Sequence, residues 1–505
     1  MEPLWRNPEL IRHARAELRP ARMATAAVVS VLLCALIILM FYHPGIGTTS
    51  APGDRDIPKI LYSLLLSIQA LVLCLWSLSS CSQVIAAERS LKTFDFLRST
   101  RLTSWELLVG MVFGVPLMAY FAVACTLPFT FILGLYAGFP LLAIAVTYLM
   151  LLLVVVVLSL AALTISMMTD RPRAGEVVLL VFLVAMPAWA FMIGVGGGSR
   201  FPGLSAILAF VGLQPLYHVA PTPYEPITNL THVPFFGVPV PTLLVSIVLY
   251  ASVGAWLLLI LVRNLKKDRE DIRLLSRWQA VGLTAYLNVF VFALLDLRPS
   301  YPPVSATDVA FGYLGLNFLI LYTVGLATLT PPGRLKAWCH FPASSTQFYW
   351  SEDGPPSTWM AASAVAAFLF FLLEAVVSRH FIPFSQWPVR AVAGYLFVLL
   401  VFAVRDVLFL QWCVLKGFQS PIVKGMLFLF LYYATAFTIA GLFFHPAIAW
   451  LTPIGAFVGA KIATPVSIAI GILLQIAASM YLVFTIRQRL SPSLTASAPS
   501  NPRGF

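Results

Sequence analysis

Residues 140–168 read PLLAIAVTYLMLLLVVVVLSLAALTISMM, and this stretch decides the fold class. It runs for 29 residues without one charged side chain, and about 20 apolar residues are enough for a helix to cross a bilayer. The apolar residues are continuous, whereas the strands of a membrane β-barrel alternate apolar and polar residues. The stretch therefore predicts a transmembrane α-helix.

The composition of the whole chain agrees with this prediction. Of its 505 residues, 60% are hydrophobic and only 10% are charged, where a soluble domain has about 25% charged residues. Such a chain cannot cover a globular surface with polar groups, so the bilayer must be its solvent. Backbone groups in hydrocarbon need partners within their own segment, which helices provide. We predict an all-α, polytopic transmembrane helix bundle with no soluble domain large enough for chemistry of its own.

The apolar runs predict 12 spans, which puts both termini on one side of the membrane. They lie at residues 23–42, 60–86, 106–135, 140–168, 177–196, 241–262, 279–296, 309–330, 359–379, 391–411, 424–445 and 464–486. The polar segments between them divide the chain into five parts. These are an N-terminal amphipathic segment (1–22), a six-span half (23–263), a basic linker (264–278), a second six-span half (279–488) and a disordered tail (489–505).

The basic residues orient this topology, because Lys and Arg accumulate in cytoplasmic segments. With a cytoplasmic N-terminus, 25 of the 32 Lys and Arg lie in or beside inner segments. The seven in outer segments are Arg55, Lys59, Arg200, Arg298, Arg379, Arg390 and Lys461. The net charge of +12 thus follows the ends of the spans and forms no basic domain, which excludes nucleic acid as a partner. Both termini are predicted to be cytoplasmic.

Motifs for catalysis or metal binding are absent from the sequence. The six Cys form no C-x-x-C pair and the seven His are scattered, so neither a disulfide framework nor a zinc site is expected. The sequence has no G-x-x-x-x-G-K-[ST] phosphate-binding loop. We expect no metal and no enzymatic activity in this chain.

The N-terminal segment is predicted to form a short amphipathic helix. Asn7 suits the N-cap and Pro8 the first helical position. One face carries Leu10, Ile11, Ala14 and Leu18, and Arg12, Arg15 and Arg19 lie on or beside the other. Such a helix lies in the membrane interface against anionic lipids, or it is a basic tail that fixes the topology.

The segment between the second and third spans is the most informative part of the chain. Residues 88–107 read ERSLKTFDFLRSTRLTSWEL. Leu91, Phe94 and Leu97 recur at helical spacing and predict a short helix with one apolar face. Ser104 is expected to cap the next helix, with Glu106 in its first turn.

This segment resembles the permease subunits of ABC-2-type ABC transporters. That family shows the pattern E-R-E-x-G-T-L-[DE]-x-L-L-x-T-P-L-S-x-x-E-x-x-x-G-K after its second span. The residues that match it are Glu88, Arg89, Thr93, Asp95, Leu97, Thr100, Leu102, Ser104, Glu106 and Gly110, with Ser104 one position after the Ser of the pattern. The chain departs from it at Lys92, Arg101 and Met111, where the family has Gly, Pro and Lys. The opening Asn-Pro-Glu-Leu is also similar to the family's N-terminus, and the resemblance covers residues 1–263.

The resemblance implies that residues 88–106 couple the membrane domain to a separate ATP-binding subunit. ATP would then bind to that partner, with no cofactor bound directly to this chain. The chain would be the permease subunit of an exporter, a multi-pass protein of a bacterial plasma membrane in contact with membrane lipids. Twelve spans either complete a two-half transporter alone or pair with another chain, as a homodimer or with a second permease.

Ionisable residues within spans are functional candidates. They are Glu374 in the ninth span and Arg405 and Asp406 late in the tenth. Glu374 either lines a pathway or faces a polar neighbour, and Arg405 and Asp406 are expected to snorkel or cap near the cytoplasmic surface. Gly110 and Gly114 form a G-x-x-x-G that permits close helix approach.

Two other functions compete with the permease. An ion-coupled secondary transporter also suits 12 spans, but it needs several membrane carboxylates. A membrane-embedded enzyme needs clustered acids, His or metal ligands at a membrane face. The few buried charges favour a lipidic or amphipathic substrate.

Overall fold

The computed structural model describes most of the membrane helices of this chain. The described residues are 7–42, 57–168, 232–235, 238–267, 272–294, 306–339, 345–377, 384–386, 388–416, 421–443 and 465–490. The chain divides into two compact units, one holding the described residues up to 267 and the other those from 272 onward.

The first unit contains eight helices among its described residues. They are α1 (Pro8–Glu17), α2 (Pro20–Tyr42), α3 (Ile57–Ser90), α4 (Phe94–Ser99), α5 (Ser104–Gly114), α6 (Leu117–Tyr136), α7 (Leu141–Met168) and α8 (Thr242–Asn264). A short antiparallel hairpin, β1 (His232–Phe235) and β2 (Val238–Pro241), leads into α8, with His232 opposite Pro241 and Phe235 opposite Val238.

The second unit contains a further eight helices in its described part. They are α9 (Arg277–Leu294), α10 (Ala306–Ala327), α11 (Pro332–Cys339), α12 (Thr346–Trp350), α13 (Ser357–Val377), α14 (Val389–Leu415), α15 (Pro421–Phe443) and α16 (Pro465–Leu490). A single 3₁₀ turn covers Phe384–Gln386.

Eight helices in the described residues are long and apolar enough to cross a membrane: α2, α3, α6, α7, α8, α13, α14 and α16. The prediction of an all-α membrane protein is thereby confirmed. Helices α9, α10 and α15 lie on three further predicted spans. The span at 177–196 lies outside the described residues, so the total of 12 spans and the side of the termini stay predictions.

One predicted span is wrong in its extent. Residues 106–135 form two helices, because the chain leaves helical geometry at Pro116, which has no N–H to donate. Helix α5 has 11 residues and is about 16 Å long. It is therefore too short to span the bilayer, which leaves α6 as the third span.

The core of the first unit forms where α3 packs along α6 and α7, and α8 packs along α7. Ala70 and Leu73 of α3 meet Met150 and Val154 of α7 in one buried cluster. A polar group lies inside this apolar packing: Gln69 donates to Thr126 Oγ1 at 2.8 Å and accepts from Tyr148. These bonds connect α3, α6 and α7.

The second unit is organised around α14, which packs against α10, α13, α15 and α16. Met360, Ala403 and Val407 form part of its buried core. At one end Arg277 donates to Thr328 O at 2.6 Å and to Gly354 O at 2.6 Å. This buried guanidinium joins the start of α9 to the turns that follow α10 and precede α13.

Candidate functional site

Helix α1 is fastened to α5 through its N-cap residue. Asn7 Oδ1 accepts from the N–H groups of Glu9 (2.9 Å) and Leu10 (3.3 Å), as the sequence predicts for an N-cap. Its amide nitrogen donates to the backbone oxygen of Glu106 at 2.6 Å. The same side chain therefore starts α1 and binds it to the first turn of α5.

The G-x-x-x-G pair of α5 receives α1. A Cβ on Gly110 would lie 2.6 Å from Glu9 Cβ, and one on Gly114 would lie 3.0 Å from His13 Cβ. Ordinary carbon contacts are about 3.5–4.0 Å, so α1 approaches α5 as closely as the two glycines allow. The G-x-x-x-G pattern in the sequence thus marks the contact between α1 and α5.

A buried carboxylate organises the contact between these helices. Glu9 is 2% exposed and binds Arg12 at 2.6 Å and His13 at 3.1 Å. Burial raises its pKa, but the hydrogen bond from His13 and the charge of Arg12 outweigh burial, so the pKa of Glu9 lies below its ordinary value. The face of α1 that contacts α5 is accordingly polar, while Leu10, Ile11, Ala14 and Leu18 are half-buried and Arg15 and Arg19 are exposed.

Helix α1 also reaches the other end of the 88–106 segment. Arg12 donates to Glu88 at 2.8 Å while it pairs with Glu9. Because Asn7 binds the backbone of Glu106, the N-terminal helix holds both ends of the predicted coupling segment. The sequence places Arg12 on or beside the polar face of α1 and carries no signal for this link.

The joint between α3 and α4 is a defined turn. The N–H of Lys92 donates to Arg89 O and the N–H of Thr93 to Glu88 O, both at 3.0 Å, which is the Schellman arrangement. Lys92 has φ +59°, a left-handed conformation that favours glycine. The hydroxyl of Thr93 also donates to Glu88. Lys92 stands where the ABC-2 pattern has Gly, and the geometry gives the physical reason for that Gly.

Arg89 anchors α4 to the body of the first unit. It donates to Met167 O at 2.7 Å, and its guanidinium lies 5.0 Å from the ring centre of Phe94. Phe94 and Leu97 are buried, so α4 packs on the unit through the apolar face that the sequence predicts for these two residues.

The end of α8 fixes the far side of α4. Arg98 Nε donates to Lys266 O at 3.0 Å, and Lys266 donates to Leu102 O. Thr100 donates to Leu97 O at 2.6 Å and closes the helix. The sequence matched Leu102 and Thr100 to the family pattern, but the contribution of Lys266 had no sequence signal.

The cap of α5 corrects one prediction. Thr103, and not Ser104, is the N-cap: its hydroxyl accepts from Glu106 N–H at 3.2 Å, and the Glu106 carboxylate accepts from Thr103 N–H at 2.8 Å. This reciprocal capping box satisfies two helix-end donors at once. The Glu106 side chain is therefore engaged within the segment, where it stabilises the start of α5.

Among the exposed side chains of this segment, two large apolar ones and a carboxylate lie close to the turn between α3 and α4. Leu91 is 72% exposed and Phe96 73% exposed, and Asp95 is exposed beside Phe96 with a 3.3 Å contact to Arg98. Leu91 is thus not on the buried apolar face on which its spacing placed it, because the left-handed turn at Lys92 interrupts the helix. Two large apolar side chains and a carboxylate project from a rigid turn.

The second unit buries all three predicted intramembrane ionisable residues. Glu374 is fully buried on α13, and Asp406 is fully buried on α14 with Arg405 beside it. The expectation that Arg405 and Asp406 snorkel to a surface is wrong, because the two side chains bind each other inside the helix packing, at 2.6 Å.

Aromatic hydroxyls and an amide complete the Arg405–Asp406 pair. Tyr322 and Tyr433 both donate to Asp406, and Arg405 donates to Gln475, Tyr432 and Tyr433. The group connects α10, α14, α15 and α16. Full hydrogen bonding is what makes a buried ion pair tolerable, so the arrangement is suited to fixing the relative positions of four helices.

No family model, curated protein or solved structure matches the chain. Within the described ranges, no three His, Cys, Asp or Glu side chains come together as a metal site requires. The geometry of the 88–106 segment and its resemblance to ABC-2 permeases are therefore the guides to function.

Proposed function

We propose that the chain is the membrane-spanning permease subunit of an ATP-driven ABC transporter, working as an exporter in a bacterial plasma membrane. ATP binding and hydrolysis belong to a separate subunit that docks on residues 88–106. The observation that carries the proposal is the exposed Phe96 on a short helix that is attached to α3, to α5 and to the end of α8.

Helix α4 is attached to the rest of the first unit at three places. The Schellman turn joins it to α3, the capping box joins the following loop to α5, and Lys266 joins it to the end of α8. A partner that moves α4 therefore moves the ends of several membrane helices together. Coupling of this kind needs rigid elements in continuous contact, which buried Phe94 and Leu97 provide.

The chemistry of the exposed surface fits a protein partner. Exposed aromatic and aliphatic side chains at the tip of a rigid turn are typical anchors, which bury their area in a pocket of the partner. Leu91 and Phe96 supply that area and Asp95 supplies one charge. The other residues of the matched pattern, such as Glu88 and Glu106, hold the shape of the segment.

An ion-coupled secondary transporter is the alternative function. Buried Glu374 is the observation that favours it, since intramembrane carboxylates carry protons in such proteins. The Arg405–Asp406 pair does not support this alternative, because the Asp406 carboxylate is paired with Arg405 and accepts a hydrogen bond from Tyr322.

The test is co-purification of the full-length chain with its ATP-binding subunit. Phe96→Asp should weaken that association at least tenfold, since a central apolar anchor typically contributes 2 kcal/mol or more. Asp95→Ala should weaken it less. Ser99→Ala is the matched control, because it changes an exposed residue of the same helix whose hydroxyl donates to Phe96 O within α4.

Two results would contradict the proposal. One is association that is unchanged in Phe96→Asp while Ser99→Ala behaves as the unaltered chain. The other is substrate transport by the purified chain in vesicles without any ATPase, abolished by Glu374→Gln, which would establish the ion-coupled alternative.

A further inference from the structure

A groove runs along the outside of the second unit between α14 and α16. Its volume is about 520 Å³. Leu400 and Val404 of α14 form one wall, and Ile476, Met480 and Val483 of α16 form the other. One end carries Arg487, and Ser357 at the start of α13 also lines the groove.

The lining of α16 forms one continuous stripe. Residues 476, 480, 483 and 487 follow helical spacing and fall on one face. The 12 residues from Ile476 to Arg487 cover about 16 Å of the helix axis. The groove therefore leads from an apolar end to a cationic end over roughly half the thickness of a bilayer's hydrocarbon core.

The lining of the groove decides what fits into it. Its walls are apolar along most of their length and one end is cationic at Arg487. A volume of about 520 Å³ lies in the range of small-ligand sites, which suits an extended hydrocarbon chain with an anionic headgroup. Met480 and Phe484 are 66% and 63% exposed, so the groove is accessible from the side where lipid surrounds the protein.

We propose that this groove is a binding site for an anionic phospholipid. The acyl chain lies against α14 and α16, and the phosphate of the headgroup is held by Arg487 with Ser357 beside it. By the predicted topology the headgroup end is at the cytoplasmic surface, where α16 ends. The inference goes beyond the proposed transport function and does not depend on it.

The charge at the end of the groove gives the site its lipid preference. A basic side chain near the membrane surface attracts an anionic lipid by about 1 kcal/mol, which corresponds to about fivefold in affinity. Arg489 lies two residues further on but contacts the ring of Trp412, 5.3 Å from its centre, and does not line the groove. Arg487 and Arg489 thus form a matched pair of test residues in one helical turn.

The experiment uses the purified full-length chain, stripped of lipid, in native mass spectrometry. Phosphatidylglycerol and phosphatidylcholine with identical acyl chains are titrated separately. We expect about fivefold preference for phosphatidylglycerol, lost in Arg487→Gln and kept in Arg489→Gln. Met480→Trp, which fills the groove from an exposed position, should reduce the retention of both lipids, and added inorganic phosphate should displace neither.

Several outcomes would overturn the proposal. One is a phosphatidylglycerol preference that survives Arg487→Gln, or that is lost equally in Arg489→Gln. Another is lipid retention that is unchanged in Met480→Trp. Displacement of the lipid by inorganic phosphate would make the site an anion site without an acyl groove. A dimer that Met480→Trp dissociates would show that a second copy covers the groove.

Discussion

The substitution Gly110→Ala tests the attachment of α1 to α5 most directly. The new Cβ would lie 2.6 Å from Glu9 Cβ and 2.8 Å from Glu9 Cγ, where contacts of about 3.5–4.0 Å are normal. Glu9 Cβ belongs to a helix and cannot turn away, so α1 must move by about 1 Å. The hydrogen bond from Asn7 to Glu106 O, now 2.6 Å, would then exceed the useful range for donation.

The overpacking and the lost hydrogen bond together set the free energy by which Gly110→Ala weakens the α1–α5 contact. Overpacking of a close contact costs about 1–3 kcal/mol, and the loss of the Asn7 hydrogen bond results from the same displacement of α1. We expect this strain to be relieved when α1, the first described helix, detaches from α5. We expect the equilibrium for release to rise by between about fivefold and about a hundredfold.

Hydrogen exchange of the full-length protein measures this release. Amides of residues 8–17 and 88–106 should exchange faster in Gly110→Ala, because local opening sets their protection. Gly282→Ala is the matched control, since a Cβ there meets nothing within 4 Å. Unchanged exchange of residues 8–17 in a folded Gly110→Ala protein would refute the close approach of α1 and α5.

Three further predictions concern the same helices and the second unit. Lys92→Gly should raise thermal stability by about 0.5–1 kcal/mol, because it relieves a left-handed residue, and a lower melting temperature in that variant would contradict the Schellman turn. Lowering the pH should release α1 from α5. The pKa of Glu9 is depressed below its ordinary value of 4.5, so the stability that the ionised carboxylate contributes is fully present above pH 4.5 and is lost as the pH falls through the lower pKa of the folded state. Proteolysis at α1 should therefore increase at low pH, and Glu9→Gln should remove this pH dependence. Arg405→Met should destabilise the second unit by about 3–5 kcal/mol, measured by thermal unfolding, and the double variant with Asp406→Leu should recover most of that loss.

Sequence patterning predicted the membrane helices well because a bilayer imposes one simple demand. A segment in hydrocarbon must be apolar and helical throughout, so long runs such as 140–168 were located within a few residues. Pro116 was the exception. Its effect on helix geometry is local, and an apolar average over residues 106–135 conceals it.

The contacts between helices were much less predictable. Asn7, Glu9 and Arg12 look like parts of a solvated amphipathic helix, yet they face α5 and α3. Such polar contacts depend on partners about 80–100 residues away in sequence, at Glu88 and Glu106, and a single sequence carries no periodicity for them. The same holds for the pair Arg405–Asp406, whose partner Gln475 lies two spans later.

The link between Asn7 and Glu106 sets an order of events during biosynthesis. The two residues are 99 positions apart, and ribosomes add about 5–20 residues per second. The N-terminal helix therefore emerges about 5–20 s before its binding surface on α5 exists. During that interval Glu9 has its intrahelical partners only, and the newborn helix is free to bind the lipid headgroups at the site of insertion. Helix α1 therefore reaches its final place only after α2, α3, α4 and the first turn of α5 have been synthesised.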